Sequence, residues 1–353
     1  MNTAANMEYN NQPPDHLPDA GDLRVLAVLN PGSSNFPKAR LKFEYLQDLG
    51  FAGRGDTIFT AASRHETADV IADKLTAGRE PYDAVIVETG DGGANTLAQS
   101  LHAHSDQRLR DMPVIFGRGG GACDLHAMTQ GGNDNYLANL PGQAIRNIWP
   151  MELEASTYDG HHSRSEKAFA HLAIGGLGRI AYAVNGQAHR SSKFLGKPYL
   201  HELQEFITAG KSLNPVDRFY AREDDRPGRR LVSDIIMTNG DQMGRRRLFP
   251  DDIFEPGYHQ VIAPNIAAVF AIAGLMFAGN RSTMEPRMQS QFYLTRRRQG
   301  KQTLVSYDGE TFQLPLDEGD GRPEQLITRL LIATSDTPLR VATSRQPTLS
   351  RVQ

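Results

Sequence analysis

Cysteine is nearly absent: Cys123 is the only one in 353 residues. A single thiol excludes an intramolecular disulfide and any cysteine-rich zinc site, and it fits a reduced, cytoplasmic setting. Charge of one sign is lacking too. Lys and Arg number 38 against 41 Asp and Glu, a net charge of -3, so no nucleic-acid partner is expected. Long apolar runs are scarce. The most apolar stretch, "IAAVFAIAGLMFA" (266 to 278), is bracketed by Pro264 and Asn280; it falls short of the roughly 20 residues a membrane-spanning helix needs and reads as a buried core helix. The opening "MNTAANMEYNNQPPDHLPDAGD" has neither the basic start nor the apolar core of a secretory leader. Residues 1–21 are polar and expected to form a disordered arm, and residues 346–353 a flexible tail. No internal repeat is present.

What remains is ordinary globular composition, with room for two domains. In the first half, apolar strand patterns alternate with helical ones: "LRVLAVLN" (23–30), "DTIFTA" (56–61), "YDAVIVET" (82–89) and "MPVIFG" (112–117) alternate with helical spacing over 37–50, 65–78, 94–105 and from 123 onward. Strands apolar throughout, separated by helices, predict a doubly wound parallel sheet covered on both faces. After residue 145 the texture changes to short strand-like runs: "KAFAHLAIGG", "RRLVSDIIMTNG", "YHQVIAPN", "SQFYLTRRRQG", "QTLVSYDGE" and "TFQLPL". A helical pattern at 198–210 and the apolar segment at 266–278 interrupt them. The expected division is an α/β domain over 22–145, a mostly β, sandwich-like domain over 146–334, and a strand near 337–344 returning to the first sheet.

Ligands of such sheets sit beyond the C-terminal strand ends. Three turns there are rich in Gly and small polar residues: "NPGSSN" (30–35), "TGDGG" (89–93) and "GRGGGACD" (117–124). Glycine lets backbone N–H groups approach a ligand closely, and a helix that starts directly afterwards presents unpaired N–H groups at the positive end of its dipole. That combination suits a phosphate. An aspartate in the same turn would repel the phosphate unless it serves a cation or a proton transfer, so Asp91 reads as a magnesium-linked group or a base. The plainer alternative is that Asp91 caps the helix after it. Asn30, Ser33 and Ser34 are candidate hydrogen-bond donors, and Arg118 is a candidate phosphate contact. No Gly-Lys-Ser/Thr follows the first turn, and no Gly-x-Gly-x-x-Gly opens the first helix, which excludes the P-loop and dinucleotide fingerprints.

These landmarks, in their order, resemble the diacylglycerol kinase catalytic family, the lipid kinases that include sphingosine and ceramide kinases. "LAVLNPGSSN" is similar to the family's first strand and Asn-Pro-x-Ser-Gly turn, "VETGDGGANTL" to its Gly-Gly-Asp-Gly-Thr turn, and "PVIFGRGGGACDLHAM" stands at its Gly-Thr-Gly-Asn-Asp turn. "LVSYDGETFQLPL" is similar to its C-terminal Asp-Gly-Glu strand, and the resemblance runs over about residues 22–345. It implies the α/β plus β-sandwich fold shared with NAD kinases, ATP and Mg2+ in the cleft between the domains, and a lipid hydroxyl as acceptor. By position it implies that Asn30, Ser33, Ser34, Thr60, Thr89, Gly90, Gly92, Gly93, Asn95, Arg118, Gly120, Gly121 and Asp124 line the nucleotide. Asp91 would serve the phosphates and magnesium, and Glu310 would be the base with Asp308 beside it. Asp91 competes with Glu310 for that role.

The departures are specific. Thr89 replaces the first Gly of the second turn and Gly93 its closing Thr. The third turn keeps only Gly120 and Asp124, with Gly121, Ala122 and Cys123 between them. Where the family has Asp-Asp-Gly for a structural metal, this chain has Glu255-Pro256-Gly257, with Asp251 and Asp252 nearby as substitutes. These changes motivate a second reading, a non-catalytic lipid- or partner-binding protein on the same fold. A third is a kinase for a soluble acceptor, since NAD kinases share the Gly-Asp-Gly turn. The clusters Arg245–Arg247 and Arg296–Arg298 are a solvated edge or a contact with anionic lipid at a membrane surface. His161 and His162 point to opposite faces if in a strand and do not form a metal pair; Cys123 reads as packing. A homodimer stays open.

Overall fold

The chain is described from a computed structural model, over residues 15–19, 22–31, 40–41, 44, 56–59, 73–74, 82–119, 123–133, 135–157, 163–175, 219–223, 228–239, 242–243, 246–247, 254–263, 287–296, 303–314 and 327–345. The expected helices at 198–210 and 266–278 and the pair His161-His162 lie outside these residues. The helices expected over 37–50 and 65–78 are described only at 40, 41, 44, 73 and 74, all helical.

The apolar runs of the first half form strands β1 (Val25–Leu29), β2 (Asp56–Phe59) and β3 (Ala84–Glu88), then helices α1 (Asp91–His102) and α2 (Gln107–Arg110), strand β4 (Val114–Phe116) and helix α3 (Asp124–Gln130). Successive side chains of a strand point to opposite faces. Leu26, Val28, Val85, Val87, Val114 and Phe116 meet Ala94, Leu97, Ala98 and Leu101 of α1 on one face. Val25, Ala27, Leu29, Ala84, Ile86 and Ile115 meet Tyr136, Leu137 and Leu140 on the other. Burial on both faces is why these strands are apolar at every position.

The chain continues through β5 (Ala144–Ile148), β6 (Met151–Thr157), β7 (Ser163–Ala168), β8 (His171–Gly175), β9 (Phe219–Glu223), β10 (Arg230–Val232), β11 (Asp234–Thr238), β12 (Gln242–Met243), β13 (Arg246–Arg247), β14 (His259–Ala263), β15 (Gln289–Arg296), β16 (Thr303–Tyr307), β17 (Glu310–Leu314), β18 (Ile327–Thr334) and β19 (Leu339–Thr343). The first sheet has the order β2-β1-β3-β4-β19-β5. β19 is the expected returning strand and runs parallel to β4. The sheet is mixed rather than wholly parallel, because β5 pairs antiparallel with β19. The first layer therefore extends through residue 148, past the expected boundary. Part of the expected N-terminal arm also belongs to it: Leu17 is 3% exposed, its N–H donates to Gln143 O at 2.9 Å, and His16 bridges Ala144.

The second half is two antiparallel sheets, β10-β9-β15-β18-β6-β7 and β14-β11-β8-β16-β17. Their inner faces share one core, Leu153, Phe292, Leu330 and Ile332 from the first meeting Leu172, Ile174, Ile235, Val305 and Phe312 from the second. β8 is buried at every position. Leu172 and Ile174 enter that core, while Phe169 and Ala170, just before the strand, enter the core of the α/β layer.

The two halves are joined along one face of α1. Asn95, Gln99 and His102 stand at helical spacing away from the leucines. Asn95 Nδ2 donates to Lys167 O at 2.8 Å and Gln99 Nε2 to the same oxygen at 3.1 Å. His102 Nε2 pairs with Thr337 O at 2.6 Å, which places its proton there, and Nδ1 then accepts from Lys167 Nζ at 3.0 Å. Lys167 also meets Glu152 at 2.8 Å. Burial lowers the imidazole pKa, the Thr337 carbonyl opposes it, and Lys167 lowers it further, with smaller effects of opposite sign from Glu152 and Arg110. The folded protein thus binds this proton more weakly than the unfolded chain. Its contribution is present above the unfolded value of about 6.5 and is lost as pH falls below it. Melting curves from pH 7 to pH 5 should show a larger fall for the wild type than for His102→Gln; parallel profiles would contradict this role for His102.

Candidate functional site

α1 starts directly after Gly90, whose backbone is extended (φ -73°, ψ 170°) and which offers no side chain to the helix end. Asp91 lies in the first turn and is not the cap. The first-turn N–H groups are left without a capping side chain, at the positive end of the dipole.

The described residues of the three glycine turns, 30–31, 89–93 and 117–119, come together around this helix start. Asn30 follows β1; its N–H donates to Glu88 O at 3.3 Å and its Nδ2 to Thr89 Oγ1 at 3.1 Å. The third turn leaves β4 beside the second, with Gly117 N–H donating to Val87 O at 2.8 Å. Arg118 is half-buried within that turn. Beneath it, Tyr136 donates its hydroxyl proton to Glu88, a buried carboxylate that sequence patterning did not single out. Ser33, Ser34, Thr60, Gly120, Gly121 and Asp252 lie outside the described residues. Cys123 is buried, as expected, and adopts a left-handed φ of 55° ahead of α3.

A fourth turn arrives from the β half. Tyr307 and Glu310 pair across the hairpin between β16 and β17, and the two residues between them have positive φ, 43° at Asp308 and 84° at Gly309. That Asp-Gly pair is the signature of a type I′ hairpin turn. The turn rests on the start of α1: a Cβ on Gly309 would lie 2.8 Å from Gly92 N, and a Cβ on Gly92 would lie 2.8 Å from Glu310 Oε1. Glycine at 309 is required by this approach, because its φ is positive and its Cβ would meet backbone; a Cβ at 92 would displace only the end of the Glu310 side chain. The Glu310 carboxylate faces the second glycine turn from the opposite half of the molecule.

Asp308 and Asn95 hold this arrangement. Asp308 is 0% exposed and accepts from Asn95 Nδ2 at 2.8 Å, Ala170 N at 3.0 Å, His171 N at 2.8 Å and Phe169 N. Burial raises its pKa, opposed by His171 and by these donors. Asn95 is also 0% exposed and gives its amide hydrogens to Asp308 and Lys167. Both residues are braces between the two halves in this structure, a place that the motif alone did not indicate.

Two further carboxylates lie close together. Leu125 N–H donates to Asp91 Oδ1 at 3.4 Å. Asp124, at the start of α3, is buried and stands 3.4 Å from His171 Nδ1, which is 3.9 Å from Asp308 Oδ1. Burial and then repulsion from Asp124 push the Asp91 pKa up to about 7, with His171 opposing and Asp308 adding to the rise. A carboxylate crowded this way holds a proton or attracts a cation. His171 was missed in the sequence because one histidine beside an apolar strand carries no motif. Among the described residues no group of three or more His, Cys, Asp or Glu could hold a metal unaided. Glu255, expected at a structural metal, is exposed.

No protein-family model matches the chain, and no curated protein matches it in sequence. Solved structures do match. A protein from Bacillus anthracis str. Sterne assigned as a diacylglycerol kinase superposes with a TM-score of 0.58 over 91% of this chain and 96% of that one, at 11% identity. A second structure, described as a diacylglycerol kinase from the same organism, gives 0.54 over the same shares, also at 11% identity. This chain therefore has the diacylglycerol kinase fold, an α/β layer followed by two antiparallel sheets. At such identity the likeness speaks to fold alone. Among the described residues no helix is long and apolar enough to cross a membrane.

Proposed function

We propose that this protein is an ATP- and magnesium-dependent phosphotransferase whose acceptor is the hydroxyl of a diacylglycerol-like or sphingoid lipid. The observation that carries the reading is the Glu310 carboxylate lying against Gly92, in the second of the turns whose N–H groups suit phosphates. In this reading the acceptor hydroxyl gives its proton to Glu310. Its oxygen bonds to the γ-phosphorus, the bond from that phosphorus to the β-bridging oxygen breaks, and ADP leaves. Positioning and charge neutralisation supply the acceleration.

Magnesium in this chemistry is carried largely by the substrate phosphates and needs only one or two protein carboxylates. Asp91 fits, because its crowding by Asp124 is relieved by a cation. Arg118, Asn30 and the amides of Gly90, Gly92 and Gly93 face the phosphates, Thr89 is buried behind them, and Asp124 is the second carboxylate beside Asp91. A lipid acceptor requires contact with a membrane surface, for which the arginine clusters at 245–247 and 296–298 are suited in charge.

The test is ATP turnover on a panel of diacylglycerol, monoacylglycerol, sphingosine, ceramide and soluble alcohols, beside a magnesium-ATP titration. A phosphorylated lipid is expected. Binding without turnover would favour the non-catalytic reading, and phosphorylation of soluble alcohols alone would move the acceptor class. Asp91→Asn should weaken magnesium-ATP binding by about tenfold or more, the equivalent of one lost charge-assisted contact. Unchanged affinity would remove Asp91 from the metal site.

A further inference from the structure

In the second glycine turn, position 89 carries a side chain and position 93 carries none, and the two compete for one space. A Cβ built on Gly93 falls 2.4 Å from Thr89 Oγ1, 2.9 Å from its Cγ2 and 3.2 Å from its Cβ. No ordinary contact is that short, so the Thr89 side chain fills the volume that a residue-93 side chain would need. Thr89 is 3% exposed. Its hydroxyl accepts from Asn30 of the first turn at 3.1 Å. The third turn lies on its backbone: a Cβ on Gly119 would stand 2.3 Å from Thr89 N and 2.4 Å from Thr89 Cα. One residue thus touches all three turns.

We propose that Thr89 is a positioning residue that ties the three glycine turns into one surface, with Gly93 kept bare to make room for it. The inference rests on the proposed nucleotide site. It adds that the turn tolerates a single side chain shared between positions 89 and 93. Two would overfill the space, and none would remove the Thr89 hydroxyl that Asn30 Nδ2 meets, leaving the main-chain bond from Asn30 N–H to Glu88 O. Thr89 does not touch the reacting atoms and is not catalytic. Its loss acts through the placement of Asn30 and the main-chain amides.

The experiment is a set of substitutions read by calorimetric magnesium-ATP affinity and by melting temperature. Thr89→Ser keeps the hydroxyl and should bind within about threefold of wild type. Thr89→Val keeps the volume and removes the acceptor; it should bind about tenfold more weakly, the fold-change of one hydrogen bond. If turnover is present, KM for ATP should rise while kcat holds. Gly93→Ser alone should lower the melting temperature, and Thr89→Gly with Gly93→Ser should recover part of that loss. Equal affinity for Thr89→Ser and Thr89→Val would overturn the positioning role, and additive melting shifts would overturn the shared space. If wild type binds no nucleotide, the proposed function falls separately. The melting series then decides the inference: coupled shifts uphold the shared packing, and additive shifts end it.

Discussion

Glu310→Gln should reduce kcat by about 10²- to 10⁴-fold, the range of a positioned general base, while magnesium-ATP affinity changes less than about threefold. The substitution keeps the shape of the side chain and its place beside Gly92 and removes only the ability to take a proton. Reach matters more than basicity here, because the acceptor oxygen has to come within hydrogen-bond distance of both the base and the phosphate. The hairpin secures that reach. Positive φ at Asp308 and Gly309 turns the chain tightly enough to set Glu310 at the first residue of β17, opposite the start of α1. Steady-state turnover beside a binding titration separates the outcomes. Unchanged turnover in Glu310→Gln would assign proton removal to Asp91 or to solvent.

Asp308→Ala should be the most destabilising single change at the junction. Its carboxylate is fully buried and accepts from Asn95, Phe169, Ala170 and His171. Removing it strands several donors away from water and leaves the β7–β8 turn untied from the hairpin. The expected loss is about 3–5 kcal/mol, as for breaking a buried charged contact, seen as a melting shift on the order of 10 °C. Asp308→Asn is the informative partner, because asparagine accepts left-handed backbone and isolates the loss of charge. It should lose less than the alanine variant. A loss under about 1 kcal/mol in Asp308→Ala would show that the hairpin is held by β-sheet pairing alone. Turnover should fall with stability in both, since Glu310 is carried on the same turn.

The contrast between these two neighbours shows what a linear reading captures. "YDGE" marks a turn that ends on a carboxylate, and the Asp-Gly pair signals a tight hairpin. It does not reveal that Asp308 points inward to Asn95 while Glu310 points toward Gly92, because each partner lies in the other half of the chain. Nor does the turn motif reveal that the Asn95 amide reaches Asp308 and Lys167. Strands β1, β3 and β4 were legible because both their faces are buried and every position is apolar. β6 was not: "MELEAST" is rich in good helix formers, and its alternating burial becomes evident only once β7 and β18 flank it. Sheet pairing overrides local preference there. β5 lacks an apolar run, with Arg146 and Asn147 exposed at its centre, and joins the first sheet through β19, which arrives from the far end of the chain.

If three turns and the start of α1 form one phosphate-binding surface facing Glu310, bound nucleotide orders all of them together. Hydrogen–deuterium exchange with and without magnesium-ATP tests it most directly, because slowed amide exchange reports where the ligand orders the backbone. Protection is expected at Asn30, residues 89–93 and residues 117–119 together, retained in Glu310→Gln and weakened in Asp91→Asn. Protection confined to another surface, or none at saturating nucleotide, would contradict it.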